Sequence, residues 1–149
     1  MRFRLTLLLV MIPLVLCSGC IAVFVEMFTD PMGRKAAFSR AQREYTKLVR
    51  WSDVEAASRF VHPEMREQFL SYEGEFDGIR VTDFEIGEVT FGEREATAVV
   101  RVTYHAYSMA SMLEKEIKET QDWERLGGDN RWVVRPKLEG LVEQVAELR

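Results

Sequence analysis

The feature that most constrains this chain is a change of hydrophobic period at Gly74–Gly78. Before it, Ala37, Phe38, Ala41, Tyr45, Leu48 and Val49 recur at three- and four-residue intervals, the spacing of one helix face. After it, Ala96, Ala98, Val100, Val102, Tyr104 and Ala106 alternate with Thr97, Arg101, Thr103 and His105, the period of a half-buried strand. A chain with helices first and strands second buries both kinds of apolar face by laying helices on one side of an antiparallel sheet. The fold class expected is therefore α+β, in one domain, as suits a chain of 149 residues.

The boundaries of the elements follow from local chemistry. The first helix runs from Arg34 to Trp51, with Arg40, Arg43, Lys47 and Arg50 on the side opposite the apolar stripe. Ser52-Asp53-Val54-Glu55 reads as a capping box that opens a second helix. His62-Pro63 ends that helix, because the residue before proline avoids helical backbone angles. Pro63 then starts a third, reaching about Tyr72, with Met65 and Phe69 inward. From Ile79 to Phe91 the alternation slips phase, which predicts a bulged strand. Leu113–Arg125 is ambiguous: its composition favours helix, yet Ile117, Gln121 and Trp123 would share one face of a strand. A turn at Gly127–Asn130 leads to a strand over Arg131–Arg135, stopped by Pro136, and Leu138–Leu148 reads as a short amphipathic helix.

The start of the chain carries a second message. Arg2 and Arg4 precede an uncharged, mostly apolar run, and Ser18-Gly19-Cys20 follows it. That is the anatomy of an export signal, with small residues before the cut. Cys17-Ser18-Gly19-Cys20 resembles the lipobox of bacterial lipoproteins at three of four positions, with Cys17 where leucine is usual. The resemblance implies cleavage between Gly19 and Cys20 and acylation of Cys20. Residues 1–19 would then be the signal, 20–33 a tether and 34–149 the domain. Acyl chains would hold the domain on membrane lipid at the cell envelope. Ile21, rather than aspartate, after Cys20 implies the periplasmic face of an outer membrane where two membranes exist. The competing reading is an uncleaved span over Leu5–Val25, long enough to cross a bilayer. A zinc or redox role for Cys17 and Cys20 is disfavoured, since no third cysteine exists to help complete a ligand set.

Three helices, four strands and a last hairpin holding Trp123 and Trp132 resemble the nuclear transport factor 2-like superfamily over Lys35–Lys137. The resemblance implies a cone in which a long helix packs into a strongly curved sheet, and it makes Leu113–Arg125 a strand. Members include isomerases, dehydratases and polyketide cyclases with an acid or base in the cone, as well as proteins with no catalysis.

The function classes divide on what fills that cone. A net charge of −4 argues against a nucleic-acid binder. No phosphate loop, nucleophile elbow or metal-ligand spacing is present, so no cofactor and no metal are expected. On the strand over 96–106 the inward set is apolar apart from Tyr104, and His105 faces outward. His62 reads as a capping or surface residue. The expectation is accordingly a non-enzymatic binding or interaction module at the envelope, meeting lipid and an envelope protein partner, with no catalytic residue. Tyr104, Trp123 and Trp132 are candidate pocket-lining residues, and Arg40, Arg43, Lys47 and Arg50 a candidate membrane-facing stripe. The alternatives are an isomerase- or dehydratase-like enzyme with its acid near Asp83 or Tyr104, and an assembly subunit with an apolar patch around Tyr107 and Met109. A buried carboxylate beside a cavity would favour the enzyme. A cone filled by Val100, Val102, Phe38 and Trp123 would count against it.

Overall fold

The computed structural model describes residues 32–127 and 130–147. The signal segment, the Gly19–Cys20 junction, the Leu5–Val25 run, most of the tether and two turn residues, Gly128 and Asp129, lie outside them. By internal packing the chain divides into two units, Met1–Ala36 and Ala37–Arg149, and the second contains the whole sheet. Among the described residues no helix is long and apolar enough to cross a membrane.

The elements are α1 (Arg34–Arg50), α2 (Val54–Ser58), α3 (Arg66–Ser71), β1 (Ile79–Phe91), β2 (Thr97–Ser108), β3 (Glu114–Leu126), β4 (Arg131–Arg135) and α4 (Leu138–Ala146). The four strands form one antiparallel sheet in the order β1-β2-β3-β4, each joined to the next by a hairpin connection. Helices packed on a curved four-stranded antiparallel sheet are thus the architecture expected, and the ambiguous 113–125 segment is a strand. Glu116, Lys118, Asp122 and Glu124 alternate with Ile117, Glu119, Gln121 and Trp123, and the second set is buried.

β1 is bulged, as its slipping phase predicts. Its register against β2 shifts twice, between Val81 and Asp83 and between Ile86 and Val89. Gly87 lies in the second shift, where a β-carbon would stand 3.1 Å from the Arg101 carbonyl oxygen, so the backbones approach closely. Bulges of this kind bend a strand and increase the curvature of its sheet.

Two local readings are corrected. The cap of α2 is Asp53, not Ser52: the Asp53 carboxylate accepts from the Ala56 amide at 3.1 Å. Ser52 instead takes a left-handed conformation, φ 56°, that turns the chain out of α1. Pro63 opens a short 3-10 turn, Pro63–Met65, before α3 rather than a continuous helix.

The core has two parts. Phe38 lies edge-on to Phe91, Trp123 and Trp132 at centroid distances of 5.2, 5.7 and 5.2 Å, with Val100, Val134 and Val61 around them. This aromatic cluster closes one part of the cone. The second holds Ile79, Val102, Tyr104, Ala106, Ile117 and Val145.

Outside β4, the segment after α2 runs alongside the sheet. The His62 amide donates to the Val134 carbonyl at 2.9 Å and the Val134 amide to the Phe60 carbonyl at 2.7 Å, giving a parallel bridge between Val61 and Val134.

Candidate functional site

Between the second core cluster and the helices lies a cavity of about 60 Å³. Its walls are apolar, with Val49, Phe69, Phe76, Ile79, Ile117 and Val145 among them, and Tyr45 from α1 and Tyr104 from β2 complete the lining. Of the candidate lining residues, Tyr104 is therefore placed in the wall. Trp123 and Trp132 are not; both are packed in the aromatic cluster, because their rings fill the space under α1 against Phe38.

Behind the two tyrosines stands a carboxylate. Glu119 is 3% exposed. Tyr104 Oη donates to Glu119 Oε2 at 2.8 Å, Gln121 Nε2 to the same oxygen at 2.7 Å, and Tyr45 Oη to Oε1 at 3.5 Å. The network continues away from the cavity. Trp123 Nε1 donates to Gln121 Oε1 at 3.1 Å, and Gln42 Nε2 donates to Thr46 Oγ1 at 3.0 Å and to Gln121 Oε1 at 3.3 Å. Each buried polar side chain thus meets a partner, the condition under which such a network orders a core rather than weakening it.

Local sequence explains the placement. Tyr45 and Thr46 come from the C-terminal half of α1, with Gln42 one turn before Thr46. Tyr104 follows the inward alternation of β2, and Glu119 and Gln121 follow that of β3. Tyr104 is the register partner of Ile117, so Glu119 is the next inward residue on the neighbouring strand.

Burial pushes the Glu119 carboxyl above the usual carboxylate range. The hydrogen bonds from Gln121, Tyr104 and Tyr45 pull the other way without cancelling it. Burial, and then the charge of Glu119, hold the Tyr45 and Tyr104 hydroxyls well above the ordinary tyrosine value. The site thus keeps its hydroxyls protonated and its carboxyl biased to the neutral form. This is the arrangement of a proton donor in an apolar pocket.

The other candidates lie elsewhere. Asp83 and Glu85 are exposed on the outer face, Asp83 3.7 Å from Arg50 and Glu85 3.9 Å from His105, so the acid of the cone is not Asp83. His62 caps the 3-10 turn by accepting from the Glu64 amide at 3.4 Å, and its Nε2 lies 3.0 Å from both Glu124 and Arg135. Arg40, Arg43 and Lys47 are exposed along α1. Arg50 leaves that stripe: its guanidinium donates to the Thr82 carbonyl and lies over the Trp51 and Phe84 rings. Among the described residues no cluster of histidine, cysteine and acidic side chains has metal-site geometry.

No family model and no curated protein matches the chain. Two solved structures resemble it. A "putative polyketide cyclase" of Xanthomonas campestris pv. campestris is 12% identical, with 75% of this chain and 98% of that one covered at a TM-score of 0.48. One under the same description from a Silicibacter species is 13% identical, with 75% and 94% covered at a TM-score of 0.43.

The expectation of a non-enzymatic module is corrected. The cone of this chain is packed by Phe38 and Trp123 only in part, and beside its cavity stands a buried carboxylate, the feature set out as favouring an enzyme. Sequence reasoning missed Glu119. The signal was present in the spacing Ile117, Glu119, Gln121, Trp123, but two polar residues in the inward set broke the apolar alternation.

Proposed function

We propose that this chain is an exported acid–base enzyme of the nuclear transport factor 2-like kind, lipid-anchored through Cys20 and acting on a small, largely apolar ligand bound in the cone. The observation that carries the reading is the Glu119 carboxyl, buried behind two tyrosines that line an otherwise apolar cavity. In a dehydration, a tyrosine hydroxyl would give its proton to the departing β-hydroxyl of a hydroxy ketone and recover one from the protonated form of Glu119. The C–O bond breaks, water leaves, and the α-proton lost from the ligand returns to the Glu119–tyrosine pair. An isomerisation uses the same shuttle without loss of water. Tyr45 and Tyr104 contact the ligand, and Glu119 acts through them.

The test is proton exchange in deuterated water, followed by NMR, on a panel of cyclic β-hydroxy ketones and β,γ-unsaturated ketones. The full chain should exchange or convert at least one of them. Glu119→Gln should lose that activity and Tyr104→Phe should lower it at least tenfold. Equal turnover by Glu119→Gln, or none of the panel turned over, would overturn the enzyme reading. For the anchor, intact mass of the membrane fraction should show residues 1–19 gone and acyl chains added, and Cys20→Ala should abolish both. A full-length unacylated protein would favour the uncleaved span.

A further inference from the structure

Three of the five residues that join β2 to β3 are large and apolar, and all three face solvent: Met109 at 56% exposure, Met112 at 67% and Leu113 at 62%. Trp51, at the C-terminal end of α1, is 69% exposed. A short chain of hydrogen bonds links the two segments that carry them. Arg50 donates to the Thr82 carbonyl, and Thr82 Oγ1 donates to Glu114 Oε2 at 2.7 Å, next to Leu113. They also adjoin the cavity wall. Trp51 precedes Ser52, which lines it, and the Met109 amide donates at 2.9 Å to Gly78, which precedes the lining residue Ile79. Four large apolar side chains left in water at one end of a domain mark an interaction surface, and a tryptophan with methionine and leucine suits the boundary between headgroups and acyl chains.

We infer that this end of the domain, formed by Trp51, Met109, Met112 and Leu113, docks into the interfacial layer of a lipid bilayer. The inference rests on the anchored reading, and chain length permits it. The 14 residues from Cys20 to Gly33 can span up to about 46 Å when extended, whereas α1 with its 17 residues is only about 25 Å long. A tether fixed in the bilayer at Cys20 therefore reaches past the whole helix, so the Trp51 end can meet the membrane that holds the chain. Exposed Lys47 lies in the last turn of α1, where it can meet lipid phosphate.

Fluorescence isolates the surface, because Trp51 is exposed while Trp123 and Trp132 are each only 2% exposed. The full chain is reconstituted in vesicles of phosphatidylcholine with a minority of phosphatidylglycerol, their acyl chains brominated. Docking predicts quenching and a blue shift of one emission component, absent in Trp51→Phe and reduced severalfold in the double variant Met112→Glu, Leu113→Glu. A Trp51 that stays red-shifted and open to acrylamide in vesicles would overturn the inference. So would protection that follows protein concentration and ignores lipid, which would seat a second copy there. Acylation is read separately by mass. Quenching that persists in Cys20→Ala added to vesicles supports docking even as the anchor reading fails, and no outcome depends on turnover.

Discussion

Tyr104 Oη donates to Glu119 Oε2 at 2.8 Å across adjacent strands, although the register partner of Tyr104 is Ile117. The bond is diagonal, between neighbouring inward positions on β2 and β3. It ties the cavity wall to a carboxyl that has little contact with water. Both strands must hold their register for it to form, and a slip of one residue would send Glu119 to the outer face.

Glu119 makes stability depend on pH in a fixed direction. Its carboxyl titrates higher in the folded chain than in the unfolded one, so the folded state holds more protons between the two values. Its contribution is complete below the ordinary glutamate range and is lost as pH rises through the folded value. Urea denaturation from pH 4 to 8 should show this fall in the wild type, and Glu119→Gln should lack that component.

Removing the carboxyl outright costs stability directly. Glu119→Ala leaves the Tyr104 and Gln121 donors without their acceptor and opens a void, at an expected cost of about 2–4 kcal/mol. Chemical denaturation at pH 5 measures it. A cost under about 0.5 kcal/mol would mean that the network contributes little.

Tyr104→Phe takes one donor from the Glu119 carboxylate. The carboxyl should titrate higher still, because that hydrogen bond pulls its pKa down. The pH at which stability falls should move upward relative to wild type, with a loss at neutral pH of about 1–2 kcal/mol. Stability profiles of the two proteins across pH provide the comparison.

Phe38 is the hub of three edge-on ring contacts. Phe38→Ala should cost about 3–5 kcal/mol, since the surrounding rings cannot collapse into the space. The melting temperature should drop well beyond that of a surface alanine variant such as Arg43→Ala.

Ser52 and Asp53 test the corrected helix start. Asp53→Ala removes the acceptor for the Ala56 amide and should cost about 1 kcal/mol. Ser52→Gly relieves a left-handed residue and should stabilise by up to about 1 kcal/mol. If Ser52 were the cap, the two effects would be reversed.

Those residues also show what was readable from sequence. The alternation of β2 and the phase slip of β1 are local patterns, and both survive folding because each residue's direction is set by its own backbone. Ser52 and Asp53 are both good caps, and only the turn out of α1 decides between them. Glu119 was illegible for a different reason. In Glu114–Thr120 charged residues stand at nearly every position, so the one that points inward looks like its neighbours. What distinguishes it is Tyr45, 74 residues earlier, with Gln42 and Thr46 beside it. A buried charge is recognised by the partners the fold brings to it, and those are not adjacent in the chain.

The bridge between Val61 and Val134 carries one more consequence. A sheet of four strands has two free edges, each a template on which a strand of another molecule could add. At β4 the hydrogen-bonding groups of Val134 are already taken by Phe60 and His62. At β1 two bulges break the regular ladder. Among the described residues neither border is a fully regular, unoccupied ladder, so copies crowded together would find no ready edge along which to polymerise.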